Sequence, residues 1–111
     1  MTMTKFIKLL WIVALAAFAG QALASGNAEA GKAKFEATCA ACHGSGGHST
    51  NDMFPVLAGQ HASYIVHALH AYQAGTRHNP IMRGMAAGLS DQDILNIAAY
   101  LSGQTELVTK Y

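Results

Sequence analysis

The chain has 111 residues, 7 Lys and Arg against 6 Asp and Glu, a formal charge of +1 and a hydrophobic share of 51%. That length is one domain's worth, and a balance so even, with no basic patch, argues against a nucleic-acid partner. Only two cysteines are present, separated by two residues, so a disulfide between them would close a tiny loop and contribute little.

The first two dozen residues read as a targeting segment. Lys5 and Lys8 make a basic start, an apolar run follows from Leu9 to Gly20, and Ala22-Leu23-Ala24 fits the small-x-small cleavage pattern. This predicts a secretory signal peptide over residues 1–24, cut between Ala24 and Ser25. The run is short and Ala-rich for a membrane span, so no stable insertion is expected after cleavage; an uncleaved anchor is the alternative. The remaining domain, 25–111, has about 87 residues and a thin core that calls for a staple. Its charges are Lys32, Lys34, Arg77, Arg83 and Lys110 against Glu29, Glu36, Asp52, Asp91, Asp93 and Glu106, near neutral at about −1. Export also bears on the cysteines, because neighbouring free thiols outside the cytoplasm tend to oxidise unless something caps them.

Three helices follow in order. The first is expected to start at Asn27, a good N-cap, with Glu29 in its first turn, and to run to Cys39. Gly44 to Gly59, rich in Gly, Ser and Asn, reads as irregular. The second helix is expected from Gln60 to Ala74, with Ala62, Ile65, Val66 and Leu69 at helical spacing, and Gly75 stops it. Thr76 to Gly88, with Asn79-Pro80 and two glycines, again reads as irregular. Ser90-Asp91-Gln92-Asp93 resembles a capping box, Ile94, Ile97, Ala98 and Leu101 continue at helical spacing, and Gly103 ends the third helix. No segment alternates like a strand, so the fold class is all-α, three main helices joined by loops.

Cys39-Ala40-Ala41-Cys42-His43 spells C-x-x-C-H, the attachment sequence of a c-type haem. The thiols can add across the haem vinyl groups, and the histidine after the second is then placed to ligate the iron. A thioredoxin-like dithiol would need a βαβ context, and a zinc site would need further ligands at metal spacing. One covalent haem c is therefore expected, bound through Cys39 and Cys42 and ligated by His43, and it would supply the missing staple. The second face of the plate falls to the connection between the second and third helices, which carries Ile81-Met82-Arg83-Gly84-Met85. A methionine sulfur there would leave the iron six-coordinate, as suits electron transfer. The residues alone leave Met53, Met82 and Met85 open, and His61, His67, His70 and His78 make a bis-histidine site conceivable. Arg77 and Arg83 are candidates to pair with a haem propionate, since guanidinium matches carboxylate geometry; solvated surface arginines are the plain alternative.

The chain resembles a class I cytochrome c, and within that family one half of the bacterial periplasmic di-haem cytochromes c. Gly31 and Phe35 ahead of the haem motif, Phe54-Pro55-Val56-Leu57-Ala58-Gly59-Gln60, Ala74-Gly75-Thr76-Arg77, Ile81-Met82-Arg83-Gly84-Met85, Leu89-Ser90-Asp91-Gln92-Asp93-Ile94 and Ala98-Ala99-Tyr100 carry the likeness. It implies the small class I fold, Met82 as the sixth ligand, and the Pro55 backbone carbonyl as the acceptor that holds His43. It also implies a crossing of the first and last helices at Gly31, Phe35 and Tyr100. The function implied is a soluble periplasmic one-electron carrier rather than an enzyme, docking transiently to a redox donor and acceptor. The alternative is an electron-accepting subunit or dedicated partner of a periplasmic dehydrogenase. With few surface charges, docking is expected to be mainly apolar and weakly salt-dependent, and likeness to half of a di-haem protein makes a homodimer worth testing.

Overall fold

The computed structural model describes residues 25–107, together with Met3. The expected leader and its cleavage site lie outside the described residues. Within them the chain is all-helical, with no strand. The helices are α1 (Ala28–Thr38), a single turn α2 (Ala40–His43), α3 (Ala62–Ala74), α4 (Pro80–Ala87) and α5 (Asp91–Ser102), and a 3-10 turn spans Ser45–Gly47.

Each boundary has a local cause. The Asn27 side chain accepts a hydrogen bond from the Ala30 N–H at 3.0 Å, satisfying one of the donors a helix start leaves open. Its own N–H donates to Asn96 Oδ1 at 2.7 Å, so the same residue caps α1 and fastens it to α5. Helical geometry lapses at Cys39, and the chain winds once more through the haem motif before Gly44 turns it away. Gly75 closes α3 at φ 76°, a left-handed conformation in which its N–H reaches back to Ala71 and Tyr72. At α5 the capping box is reciprocal: Asp93 N–H donates to Ser90 Oγ and Ser90 N–H to Asp93 Oδ2, both at 3.0 Å. The adjacent Lys34 ammonium, 3.6 Å from Asp93, adds a further tie to α1.

Two expectations need correction. The second helix starts at Ala62 with His61 as its N-cap, not at Gln60. More consequentially, the stretch expected to be irregular from Thr76 to Gly88 contains α4. Asn79-Pro80, inside the stretch that reads as irregular, is a helix start: Asn79 Oδ1 accepts from the Met82 N–H at 3.0 Å, and Pro80 occupies the first turn, where a missing N–H costs nothing. Met82 therefore stands on a helix rather than a loop.

The core is one cluster of Phe35, Ile65, Ile97, Ala98, Tyr100 and Leu101. It forms where α1 and α3 both lie on α5. The Phe35 and Tyr100 rings meet at 5.8 Å, tilted by 56°, an arrangement that suits the ring quadrupoles. Gly31 permits the crossing, since a Cβ there would stand 1.9 Å from the Asn96 carbonyl oxygen. By contrast nothing lies within 4 Å of a Cβ at Gly84, in the interior of α4. Gly31→Ala is accordingly expected to lower stability by about 3 kcal/mol through overpacking, while Gly84→Ala raises it by about 0.5–1 kcal/mol through a stiffer unfolded chain. Thermal melts of the two variants beside the parent protein check the contrast.

Candidate functional site

Between the core and α4 lies an apolar cavity of about 400 Å³. It collects the motif and the ligand candidates from four elements. Cys39 borders it from the α1–α2 junction, Cys42 and His43 from α2, Phe54 and Pro55 from the following loop, and Met82 from α4. Neither cysteine is in a disulfide; Cys42 is exposed and Cys39 half-buried. Burial pushes the Cys39 thiol above its ordinary range, partly offset by the Thr38 hydroxyl 3.4 Å away.

His43 is 6% exposed. Its Nδ1 lies 2.9 Å from the Pro55 carbonyl oxygen. A carbonyl only accepts, so Nδ1 carries the proton and Nε2 is the nitrogen left with a lone pair. Phe54 sets its ring edge against the imidazole at 6.3 Å. The ring is thus oriented from both sides, as a ligating histidine requires.

The three methionines all reach the cavity but are not equivalent. Met53 is 82% exposed and Met85 47%, whereas Met82 is half-buried. None of His61, His67, His70 and His78 lines the cavity. Of the two arginines, only Arg77 does so, and it is the one Lys or Arg among the described lining residues. Its guanidinium donates to Tyr64 Oη at 3.1 Å and lies 5.0 Å from the Tyr72 ring centroid. The Tyr64 bond chiefly holds its pKa above the ordinary arginine value, so the charge is permanent. Arg83 is placed elsewhere, beside Gly75 at the end of α3: a Cβ on that glycine would meet its guanidinium at 3.6 Å.

A model of the cytochrome c family matches residues 28–105. The chain belongs to the cytochrome c family. It is 46% identical over 85 residues to cytochrome c4 of Pseudomonas aeruginosa, covering 77% of this chain and 42% of that one. It is 45% identical over 83 residues to cytochrome c-554(548) of Halomonas halodenitrificans, covering 72% of this chain and 99% of that one. Among solved structures, reduced recombinant cytochrome c4 from Pseudomonas stutzeri superposes with a TM-score of 0.68 at 43% identity, covering 73% of this chain and 47% of that one. The chain thus spans under half of the cytochrome c4 relatives and nearly all of cytochrome c-554(548). The fold is the class I cytochrome c fold, and the family's cofactor is covalent haem c. The residues present fit that group. Two cysteines outside any disulfide, one imidazole with its far nitrogen already bonded and a half-buried thioether border one apolar space, and among the described residues no carboxylate lines it.

Glu36 supports the site although no sequence motif singles it out. Its Oε1 accepts from the Gly46 N–H at 2.7 Å and from the Tyr100 hydroxyl at 2.9 Å, joining α1, the loop after His43 and α5. Only its place one turn before Cys39 hints at this, and nothing in the sequence names the partners. The Gly46 bond is the main cause of a carboxyl pKa below the ordinary value. A depressed folded pKa stabilises the protein above the ordinary carboxylate range, and that contribution is lost as pH falls through the folded value. Glu36→Gln is therefore expected to lower the urea midpoint at about pH 7, with the gap to the parent narrowing toward about pH 3. A gap that stays constant with pH would remove the ionised carboxylate from this role.

Proposed function

We propose that the chain is an exported electron carrier of the periplasm, with one haem c attached through Cys39 and Cys42 and ligated by His43 and Met82. The observation that carries this reading is the single apolar cavity on which both thiols, the bonded imidazole and the Met82 helix converge. The group, when bound, supplies reversible one-electron Fe(II)/Fe(III) chemistry. The chain supplies the rest. Cys39 and Cys42 would hold the group covalently, the Pro55 carbonyl holds the His43 proton on Nδ1, and the Met82 sulfur would serve as the second protein ligand, which would leave no position for oxygen or substrate. Helix register favours Met82 over its neighbours: it sits one turn before Ala86, which is fully buried, and so shares the inward face of α4. Met85 is more exposed, and the histidines stand off the cavity. Arg77, clasped by Tyr64 and Tyr72 at the rim, is placed to meet a propionate. Arg83 has no such position.

Periplasmic location rests on the leader of residues 1–24, and is consistent with the described residues, none of whose helices is long and apolar enough to cross a membrane. A redox donor and an acceptor are implied as transient partners, meeting a surface with few charges. Met82→Ala is expected to abolish the weak far-red band that marks ferric iron bound to a methionine sulfur, and to let carbon monoxide bind the reduced protein rapidly. A variant that keeps the band names the wrong methionine. Rapid carbon monoxide binding by the parent protein would instead support an enzyme or gas sensor.

A further inference from the structure

A helix of eight residues is too short to stand in water without help, and α4, Pro80–Ala87, is such a helix. Its start is capped from within by Asn79. Its end is capped from another helix. The Gln73 amide, thirteen residues upstream on α3, donates from Nε2 to the Ala86 carbonyl and to the Leu89 carbonyl, both at 2.9 Å. These are carbonyls at and just past the last turn, where a helix leaves acceptors short of partners, and the Ala86 carbonyl also takes the Leu89 N–H at 3.1 Å. The amide cannot turn over without losing both bonds. Its Oε1 consequently faces His70 Nδ1, 3.2 Å away, which must donate to it. The other ring nitrogen of His70 faces Asp91 across 3.9 Å, at the start of α5. Gln73 is thus held at one end by α3 and holds α4 at the other.

We propose that Gln73 is the positioning residue of the Met82 helix: by tying the end of α4 to α3 it keeps Met82 against the cavity and governs how readily that side of the site opens. The proposal rests on the reading of Met82 as ligand. The link from amide to sulfur is short and stiff. Ala86, whose carbonyl Gln73 holds, is 0% exposed, and Met82 lies four residues before it on the same helical face. The side-chain hydrogen bonds that fasten α4 lie at its two ends, from Asn79 and from Gln73. Without the amide, the end of the helix is free to fray and lift, and the competent arrangement becomes a smaller fraction of the ensemble.

The test uses the haem-loaded protein and the Gln73→Leu variant, which keeps the volume and loses the donors. Imidazole, an exogenous ligand that competes for the methionine position, is expected to bind the ferric variant about tenfold more tightly than the parent. Amide hydrogen exchange over residues 82–89 should quicken by about the same factor, while exchange in α1 and α5 is unchanged. Asn27→Ala serves as the comparison, because it removes the N-cap bond at the start of α1 and weakens the fold away from the cavity. Equal imidazole affinity and equal exchange in parent and Gln73→Leu would overturn the proposal. So would a rise in affinity of the same size in Asn27→Ala, which would assign the effect to general stability. A parent protein that lacks the methionine band altogether would overturn the Met82 reading itself, leaving Gln73 with no ligand to position.

Discussion

At the crossing of α1 on α5, backbone meets backbone. A Cβ at Gly31 would lie 1.9 Å from the Asn96 carbonyl oxygen, and one at Gly26 would lie 2.0 Å from that of Leu95. Asn96 also takes the Asn27 N–H, so the two helices are pinned at the start of α1. One turn after Gly31, Phe35 reaches the Tyr100 ring, and one turn after Phe35 comes Cys39. The register of the haem motif against the core is therefore set by a close approach eight residues upstream, which only a residue without a side chain permits. Phe35 itself is 1% exposed and forms part of the cavity wall, so the same contact that builds the core also builds the floor of the site.

The loop behind His43 depends on that crossing in turn. Glu36 stands on α1, and its carboxylate grips Gly46 on one side and Tyr100 of α5 on the other. Farther along, the Leu57 and Ala58 N–H groups both return to the Gly47 carbonyl, and the C-terminal segment bonds back through Leu107 N–H to Ala58 at 2.9 Å. His48 pairs with Glu106 across the same region. A segment with no regular structure over most of its length is thereby fixed well enough to present the Pro55 carbonyl to an imidazole. The cost of ordering such a loop is met by bonds to charged and backbone groups together with the burial of Leu57 and Ala58.

Much of this was legible because its causes are local. Asn27, Ser90 with Asp93, and Gly75 mark helix ends through contacts within a few residues, and they stand where the sequence placed them. C-x-x-C-H needs only five consecutive residues to name a cofactor. The helix α4 was missed because Asn-Pro serves a turn and a helix start equally well, and because Gly84 and Gly88 within and after a run of only eight residues read as loop punctuation. Glu36 and Gln73 were missed for a different reason. Glu36 meets a partner 64 residues away, and Gln73 meets two that lie 13 and 16 residues away. No pattern along the chain records which carbonyl a polar side chain will find, since that is decided by how the helices pack.

The two sides of the cavity are secured unequally, and this follows from where each sits in the fold. The His43 side follows α1 directly, is 6% exposed, and is braced by the Pro55 carbonyl, Phe54 and a loop held by an ionised carboxylate. The Met82 side rests on a short helix reached through an exposed connection and fastened mainly at its ends, by Asn79 and by Gln73. Local opening draws on the regions with the fewest buried contacts. In the proposed carrier the imidazole would thus be the fixed ligand and the thioether the one that yields, so the firmness of the sixth position is set less by the methionine than by one glutamine amide on the neighbouring helix.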